Sequence, residues 1–209
     1  GIDIGGETVG MITYMRTDSV SLANEALQEL RALIEESYGK DYLPEQPNVF
    51  KTKKSAQDAH EAIRPTSMDY PPDKVAPYLS KDQLKLYTLI WRWFVASQMV
   101  PAVYDQTTVD ITAGPYTLRA TGSILKFAGF LAAHGEEVVE DGAKPEEDVG
   151  AEAKEGVLPE IADGDPVNCN KVDPQQKFTQ PPGRSTEASL VRALEENGVG
   201  LPSTYAQIL

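Results

Sequence analysis

The sequence of 209 residues has few of the side chains that build disulfides and metal sites, with one cysteine, Cys169, and two histidines. One cysteine excludes an internal disulfide framework and suits a reducing compartment. It also cannot form a four-cysteine zinc site. No apolar run approaches the roughly 18 residues that would span a bilayer. These absences predict a cytoplasmic protein that does not contact a membrane.

Positive charge is also scarce, because 19 lysines and arginines face 32 acidic residues and the net charge is -13. Taken alone, this balance argues against a nucleic-acid partner, since proteins bind phosphates through Lys and Arg. However, residues 136–165 hold 12 of the acidic residues and only two lysines, so most of the excess lies there. That distribution leaves room for a basic surface elsewhere. We expect a mobile loop over residues 134–157, which are acidic and poor in aromatic residues.

Chemistry-bearing side chains are concentrated in residues 10–19. Apolar residues up to Ile12 predict a short buried strand that leads to Tyr14. A phenol can attack a phosphodiester, and a guanidinium two residues later, at Arg16, can stabilise the charge that develops on the phosphate. The alternative is an interfacial tyrosine and an arginine that pairs with a carboxylate. Taken alone, the pattern favours this alternative, because Tyr-x-Arg is common.

A first helix is predicted from apolar residues that recur on one face between Leu22 and Ile34, and Gly39 ends it. Ser19 or Ser21 is its predicted N-cap, because a hydroxyl can accept a free N–H of the first turn. This helix start would place Ser19 where a helix N-terminus attracts anions.

A second, short helix is predicted over Ser55–Ile63. It should end there, because Pro65 disfavours helical geometry at the residue before it. His60 and Arg64 lie four residues apart and would share a face. A lone histidine is more often a structural group than a catalytic one, so the residues alone favour a structural role for His60.

Ser80 and Gln83 have the spacing of a capping box, which predicts a helix from Lys81 to Met99. Most of its faces are apolar, and we expect Trp91 and Trp93 to pack in the core rather than to stack on bases.

The sequence changes character after residue 101. Alternating residues over 103–121, with a turn at 113–115, predict two strands, and a last strand is predicted over 167–172. Residues 186–198 predict a helix that ends at Asn197-Gly198, and Ser203 begins another.

Residues 12–19 resemble the active-site signature of type IA DNA topoisomerases. Two further family-like segments follow in the expected order, at 59–65 and at 186–190 leading into 202–206. Three ordered matches over nearly the whole chain are far more specific than one, and the sequence is identified as a member of that family.

The resemblance implies an α+β fold in three parts. Residues 1–100 would form most of a helical, winged-helix-like domain that carries the tyrosine. Residues 101–175 would form a β-rich arch segment, and residues 176–209 the start of a helical base domain.

The resemblance also implies a function, the relaxation of negatively supercoiled DNA by cutting one strand, passing the other and resealing. Tyr14 would become linked to the 5′ phosphate, with Arg16 and His60 as further catalytic residues. The partners would be single-stranded segments of DNA and the other domains of the same polypeptide, in the nucleoid of the cytoplasm. The implied DNA contacts are Arg16, Thr17, Ser19, His60, Arg64, Gly200, Ser203 and Thr204.

The family requires Mg²⁺, which acidic residues of an N-terminal domain hold beside a glutamate that acts as general acid. These 209 residues contain no such segment, so we expect the chain to bind no metal and to be inactive alone. Leu201 stands where the family usually has an arginine, which weakens the case for that part of the site. An alternative is a non-catalytic module that binds single-stranded DNA or a partner. A recombinase-type enzyme would have its tyrosine after the arginines, and Tyr14 comes first.

Overall fold

A computed structural model of the chain describes residues 2–4, 6–15, 19–50, 61–134, 158–176, 178–179, 181, 183–200 and 204. It divides into two compact units. The first contains the described residues up to Val103 and those from Lys126 to His134, and the second contains Tyr104–Leu125 and the described residues from 158 onward. The described part is α+β, as the resemblance implies, with five α-helices and two small antiparallel sheets.

The first unit begins with a small hairpin, in which strand β1, Ile2–Ile4, pairs with strand β2, Glu7–Val9. The chain then leaves this sheet, and Ile12 forms an isolated antiparallel bridge with Pro65. The strand predicted before Tyr14 is therefore divided between two partners.

Helix α1, Asn24–Tyr38, buries Ala26, Leu30 and Ile34, which confirms the predicted apolar face. It ends at Gly39, as predicted, where the N–H donates to the carbonyl groups of the last turn at a φ of 100°. The predicted N-cap at Ser19 or Ser21 is wrong. The N-cap residue is Ala23, whose side chain makes no capping hydrogen bond.

Helix α2, Pro72–Val75, precedes helix α3, Lys81–Ser97, whose Ser80–Gln83 capping box is present as predicted. The helix ends two residues before the predicted Met99. Buried side chains of α1, α2 and α3, together with Met99 just after α3, form the core of this unit: Leu30, Ile34, Val75, Tyr87, Trp91, Phe94, Val95 and Met99.

The two tryptophans of α3 differ. Trp91 is buried in the core as predicted, but Trp93 is 54% exposed, so the prediction of a core position is wrong for it. The Trp93 ring meets that of His134 edge-on, with 4.2 Å between centroids. One turn before Trp91, burial raises the pKa of Tyr87 to about 12, and the Tyr87 hydroxyl donates to the carbonyl oxygen of Tyr70 at 2.7 Å.

Strands β3, Val103–Ala113, and β4, Tyr116–Phe127, form the predicted hairpin, and Gly114 takes a φ of 62° in its turn. Across the exposed face, Arg119 donates to both carboxylate oxygens of Asp110, which lowers the pKa of that carboxyl group. Helix α4, Leu131–His134, follows.

The strand predicted over 167–172 is wrong, because these residues are exposed and pair with no strand in the described part of the chain. Helix α5, Glu187–Glu196, has Thr186 as its N-cap and ends at Asn197, as predicted. The loop expected over 134–157 and the helix expected at Ser203 fall outside the described residues, apart from His134 and Thr204. No described helix is long and apolar enough to cross a membrane.

Gly129 lies where the chain turns from β4 into α4, at a position with no room for a side chain. A Cβ there would lie 2.6 Å from the carbonyl oxygen of Val100 and closer still to that of Pro101, at a φ of 50°. We expect Gly129→Ala to lower the free energy of unfolding by about 3 kcal/mol or more, from both strain and collision.

Gly114→Ala is the matched control, because its φ is also positive but no atom lies within 4 Å of the added Cβ. We expect it to cost only about 1–2 kcal/mol. Urea unfolding of both variants measures the difference, and equal losses would contradict the proposed collision.

Candidate active site

Tyr14 lies at the point where the chain leaves the core of the first unit. Met11 and Ile12 pack against the core cluster, whereas Tyr14 is 80% exposed and Met15 is 70% exposed. The phenol is therefore presented to solvent by a segment whose preceding residues are anchored.

The anchored segment pairs with residues 64–66. The N–H of Thr13 donates to the carbonyl oxygen of Arg64 at 2.9 Å, and the N–H of Thr66 donates to that of Met11 at 3.1 Å. The hydroxyl of Thr66 adds a bond of 2.6 Å to the carbonyl oxygen of Gly10. Residues 12 and 13 of the first predicted site segment are thus joined to residues 64 and 65 of the second.

The Thr13 side chain makes two more bonds to the same segment. Its hydroxyl donates to the carbonyl oxygen of Ala62 at 2.7 Å and accepts the N–H of Arg64 at 3.0 Å. The partly buried Thr13 hydroxyl therefore uses both its donor hydrogen and an acceptor lone pair within the protein.

Glu61 joins this segment to α1. One carboxylate oxygen accepts the N–H of Ala23, the N-cap, at 2.9 Å, and the N–H of Ala62 donates to the carbonyl oxygen of Ser21 at 2.9 Å. A carboxylate at a helix N-terminus is favourable, because it meets free N–H groups and the positive end of the helix dipole.

The same carboxylate engages Arg64. The guanidinium donates to its two oxygens at 3.0 and 3.1 Å, and it also donates to the carbonyl oxygen of Pro65 at 2.8 Å. Only 11% of the Arg64 side chain is exposed. Arg64 therefore has a partner and a compensated charge within the protein.

Two local predictions about this region are wrong. Of the helix predicted over Ser55–Ile63, residues 55–60 lie outside the described part of the chain, and residues 61–63 are not helical: the N–H of Ala62 donates to Ser21 and its carbonyl oxygen accepts from Thr13. The start of α1 does not lie at Ser19, which is 4% exposed and accepts the N–H of Ser21 at 3.2 Å. The helix N-terminus comes later in the chain, and the Glu61 carboxylate already occupies it.

The other predicted site residues are distributed as follows. Gly200 and Thr204 belong to the second unit, where Gly200 is exposed with a φ of 85°. Four predicted residues lie outside the described part of the chain: Arg16, Thr17, His60 and Ser203.

Sequence reasoning missed Thr13 and Glu61. Both lie inside the segments that carry the family resemblance, at 12–19 and 59–65, so the signal was present. Both residue types are common in structural positions, however, and nothing in the spacing of either residue points to a partner on the other segment.

The described residues do not fit a magnesium site, since no group of three or more His, Cys, Asp or Glu side chains among them could hold a metal ion. A groove of about 230 Å³ beside Met11 and Ile12 is lined mainly by apolar side chains, among them Leu86 and Ile90 of α3. No lysine or arginine of the described part lines it, so it offers no cation to a phosphate. The candidate site is thus a surface that presents Tyr14, which suits a polymeric substrate better than a small one.

The comparisons with known proteins define the class of this chain. Residues 7–209 match the family model described as DNA topoisomerase. The DNA topoisomerase 1 of Xylella fastidiosa is 49% identical over the whole chain, and that of Pseudomonas aeruginosa is 47% identical over 96% of it. The full-length topoisomerase I of Thermotoga maritima superposes with a TM-score of 0.75 over 99% of the chain, at 32% identity.

The chain belongs to the type IA DNA topoisomerases. Within that class it corresponds to part of bacterial DNA topoisomerase I. It covers 25% of the Xylella relative, 22% of the Pseudomonas relative and 31% of the Thermotoga chain. The chain thus spans about a quarter of the length of the curated relatives that it matches.

Proposed function

We propose that the chain is the tyrosine-bearing part of a longer topoisomerase, called the full-length protein below, which transiently cleaves one DNA strand. The phenolic oxygen of Tyr14 bonds to phosphorus, and the bond from phosphorus to the 3′ oxygen breaks. The phenolic proton goes to solvent and the 3′ oxygen takes up a proton. The enzyme passes the other strand and then reverses the reaction, which relaxes negative supercoils.

The exposed position of Tyr14 on an anchored segment is the observation that carries this proposal. A nucleophile for DNA must be reachable by a polymer, and Tyr14 is 80% exposed. It must also be held in place, and the residues before it are bonded to 62–66 and packed on the core. A tyrosine with a purely structural role would more often bury its ring.

The roles of the neighbouring residues are proposed from the resemblance. Arg16 stabilises the charge that develops on the phosphate, and His60 supplies positive charge nearby if it is protonated. Arg64 shares its guanidinium with Glu61, so we rank it behind Arg16 as a phosphate contact. The other proposed DNA contacts are Thr17, Ser19, Gly200, Ser203 and Thr204.

The rest of the full-length protein supplies what this chain lacks. We propose that residues 1–100 form most of the tyrosine domain, 101–175 an arch segment and 176–209 the start of the base. The carboxylates that hold Mg²⁺ and the general acid would come from other parts of the polypeptide. The substrate would be single-stranded segments of supercoiled DNA in the nucleoid.

The first prediction tests the nucleophile. In the full-length protein, Tyr14→Phe should abolish the covalent adduct while DNA affinity stays nearly unchanged, because only the phenolic oxygen can form the ester. Tyr104→Phe, at an exposed tyrosine of β3, is the matched control and should cleave normally. A labelled single-stranded oligonucleotide reports the adduct after denaturation, and an adduct with the Tyr14→Phe variant would contradict the role of Tyr14.

The second prediction concerns Arg16. Arg16→Lys keeps the charge but loses the planar fork that engages two phosphate oxygens. Cleavage and resealing should both slow, by on the order of 10²-fold if one preorganised contact is lost. Arg92→Lys, at an exposed position of α3, is the control. Wild-type rates for Arg16→Lys, measured by rapid quench, would remove Arg16 from the site.

The third prediction concerns the 209-residue chain alone, which should bind single-stranded DNA weakly and form no adduct, with or without Mg²⁺. Without a general acid the 3′ oxygen must leave as an alkoxide, and acid catalysis is typically worth ~10²–10⁴-fold. Binding should be weak because the net charge is -13 and phosphate contacts require cations.

Oligonucleotides labelled at either end reveal which side of the break remains attached to protein. Adduct formation by the chain alone would mean that its own residues supply the acid. If the full-length protein binds single-stranded DNA but never forms an adduct, the scaffold serves as a non-catalytic binding module instead.

A further inference from the structure

The bonds around Thr13 connect the proposed nucleophile to the folded core by a route that the family resemblance did not indicate. Thr13 directly precedes Tyr14 and is bonded three times to residues 62–64, through its own N–H, its hydroxyl hydrogen and its hydroxyl oxygen. Tyr14 follows this fixed point by one residue.

We propose that Thr13 is a positioning residue for Tyr14, and that its hydroxyl fastens the tyrosine-bearing segment to residues 62–64. Glu61 completes the arrangement, because it fastens the same segment to the start of α1. The catalytic part of this inference rests on the proposed function, whereas the structural part rests on the contacts alone.

The chemistry of the Thr13 hydroxyl explains why this side chain is suited to the role. It donates to Ala62 at 2.7 Å and accepts from the N–H of Arg64 at 3.0 Å, so one oxygen satisfies two backbone groups of the facing segment. Valine has the same shape but can do neither. Leaving partly buried backbone groups without partners is costly, so the segment would shift or admit water.

Thr13 can hold Tyr14 in place only if residues 62–64 are themselves held by the rest of the fold. Glu61 accepts the N–H of Ala23, and Ala62 donates to Ser21, so residues 61 and 62 are held against the residues that lead into α1. That helix is fixed in turn by the buried Leu30 and Ile34. Hydrogen bonds therefore connect the start of α1 to residues 61 and 62, and residue 62 to Thr13, the residue before Tyr14.

Such a connection matters because attack on phosphorus requires close alignment. A displacement of about 1 Å at a reacting group can reduce the rate by ~10²-fold even when binding is unaffected. Since Tyr14 is 80% exposed, burial of its own ring does little to hold it, and the bonds of Thr13 fix the backbone directly before it.

The experiment compares Thr13→Val, Thr13→Ser and Thr8→Val in the full-length protein. Thr8 is the matched control, because its hydroxyl donates to Asp3 at 2.6 Å on the exposed face of β2. The rate of adduct formation is measured at saturating single-stranded DNA, and the dissociation constant is measured separately with the same DNA. Circular dichroism checks that each variant is folded.

We expect Thr13→Val to slow adduct formation by ~10- to 100-fold while the dissociation constant changes less than about twofold. Thr13→Ser, which keeps the hydroxyl, should restore most of the rate, and Thr8→Val should match the wild type. A wild-type rate for Thr13→Val would overturn the proposal. So would a serine variant as slow as the valine one, or a rate loss matched by an equal loss of affinity.

A second measurement separates this inference from the proposed function. Hydrogen exchange at residues 61–66 of the same proteins should accelerate in Thr13→Val, since the N–H of Arg64 loses its acceptor, and should be unchanged in Thr8→Val. If the wild type forms no adduct, the proposed function fails, and exchange alone decides whether Thr13 fastens the segment. Unchanged exchange would overturn the fastening itself.

Discussion

The arrangement of the candidate site depends on one short piece of backbone pairing, between residues 11–13 and 64–66. These residues are separated by about fifty positions in the chain, and the first hairpin ends before the pairing begins. The pairing lets Met11 and Ile12 reach the core while Tyr14 reaches solvent. It also holds the backbone directly before Tyr14 to a second segment of the fold.

Glu61 shows how one carboxylate can satisfy several electrostatic requirements at once. It accepts a free N–H at the start of α1, lies at the positive end of that helix, and pairs with the guanidinium of Arg64. The arrangement has a consequence for DNA binding. Because Glu61 compensates the charge of Arg64, the cationic groups that we propose for the scissile phosphate are Arg16 and His60.

Elements with local signals could be predicted from the sequence. The capping box of α3, the apolar face of α1 and the turn of the β3–β4 hairpin each depend on residues close to one another in the chain, and each is present. The failures have a different origin. Residues 167–172 have strand-like alternation, but a strand requires a neighbour to pair with. Residues 61–63 end a segment that the sequence predicts to be helical, but the backbone groups of Ala62 bond to Thr13 and Ser21 instead.

The sequence by itself determined the family, through three motifs in a fixed order, and it singled out Tyr14 through the first of them, which resembles the family's active-site signature. Only the tertiary structure decided which residues hold that phenol in place. Thr13 and Glu61 act through hydrogen bonds to groups 38 to 51 positions away. Ser19 has the residue type of a helix cap, but the fold buries it before the helix begins. The physical reason is the same in each case: a hydrogen bond between distant segments depends on the path of the whole chain, and no local pattern of residues encodes that path.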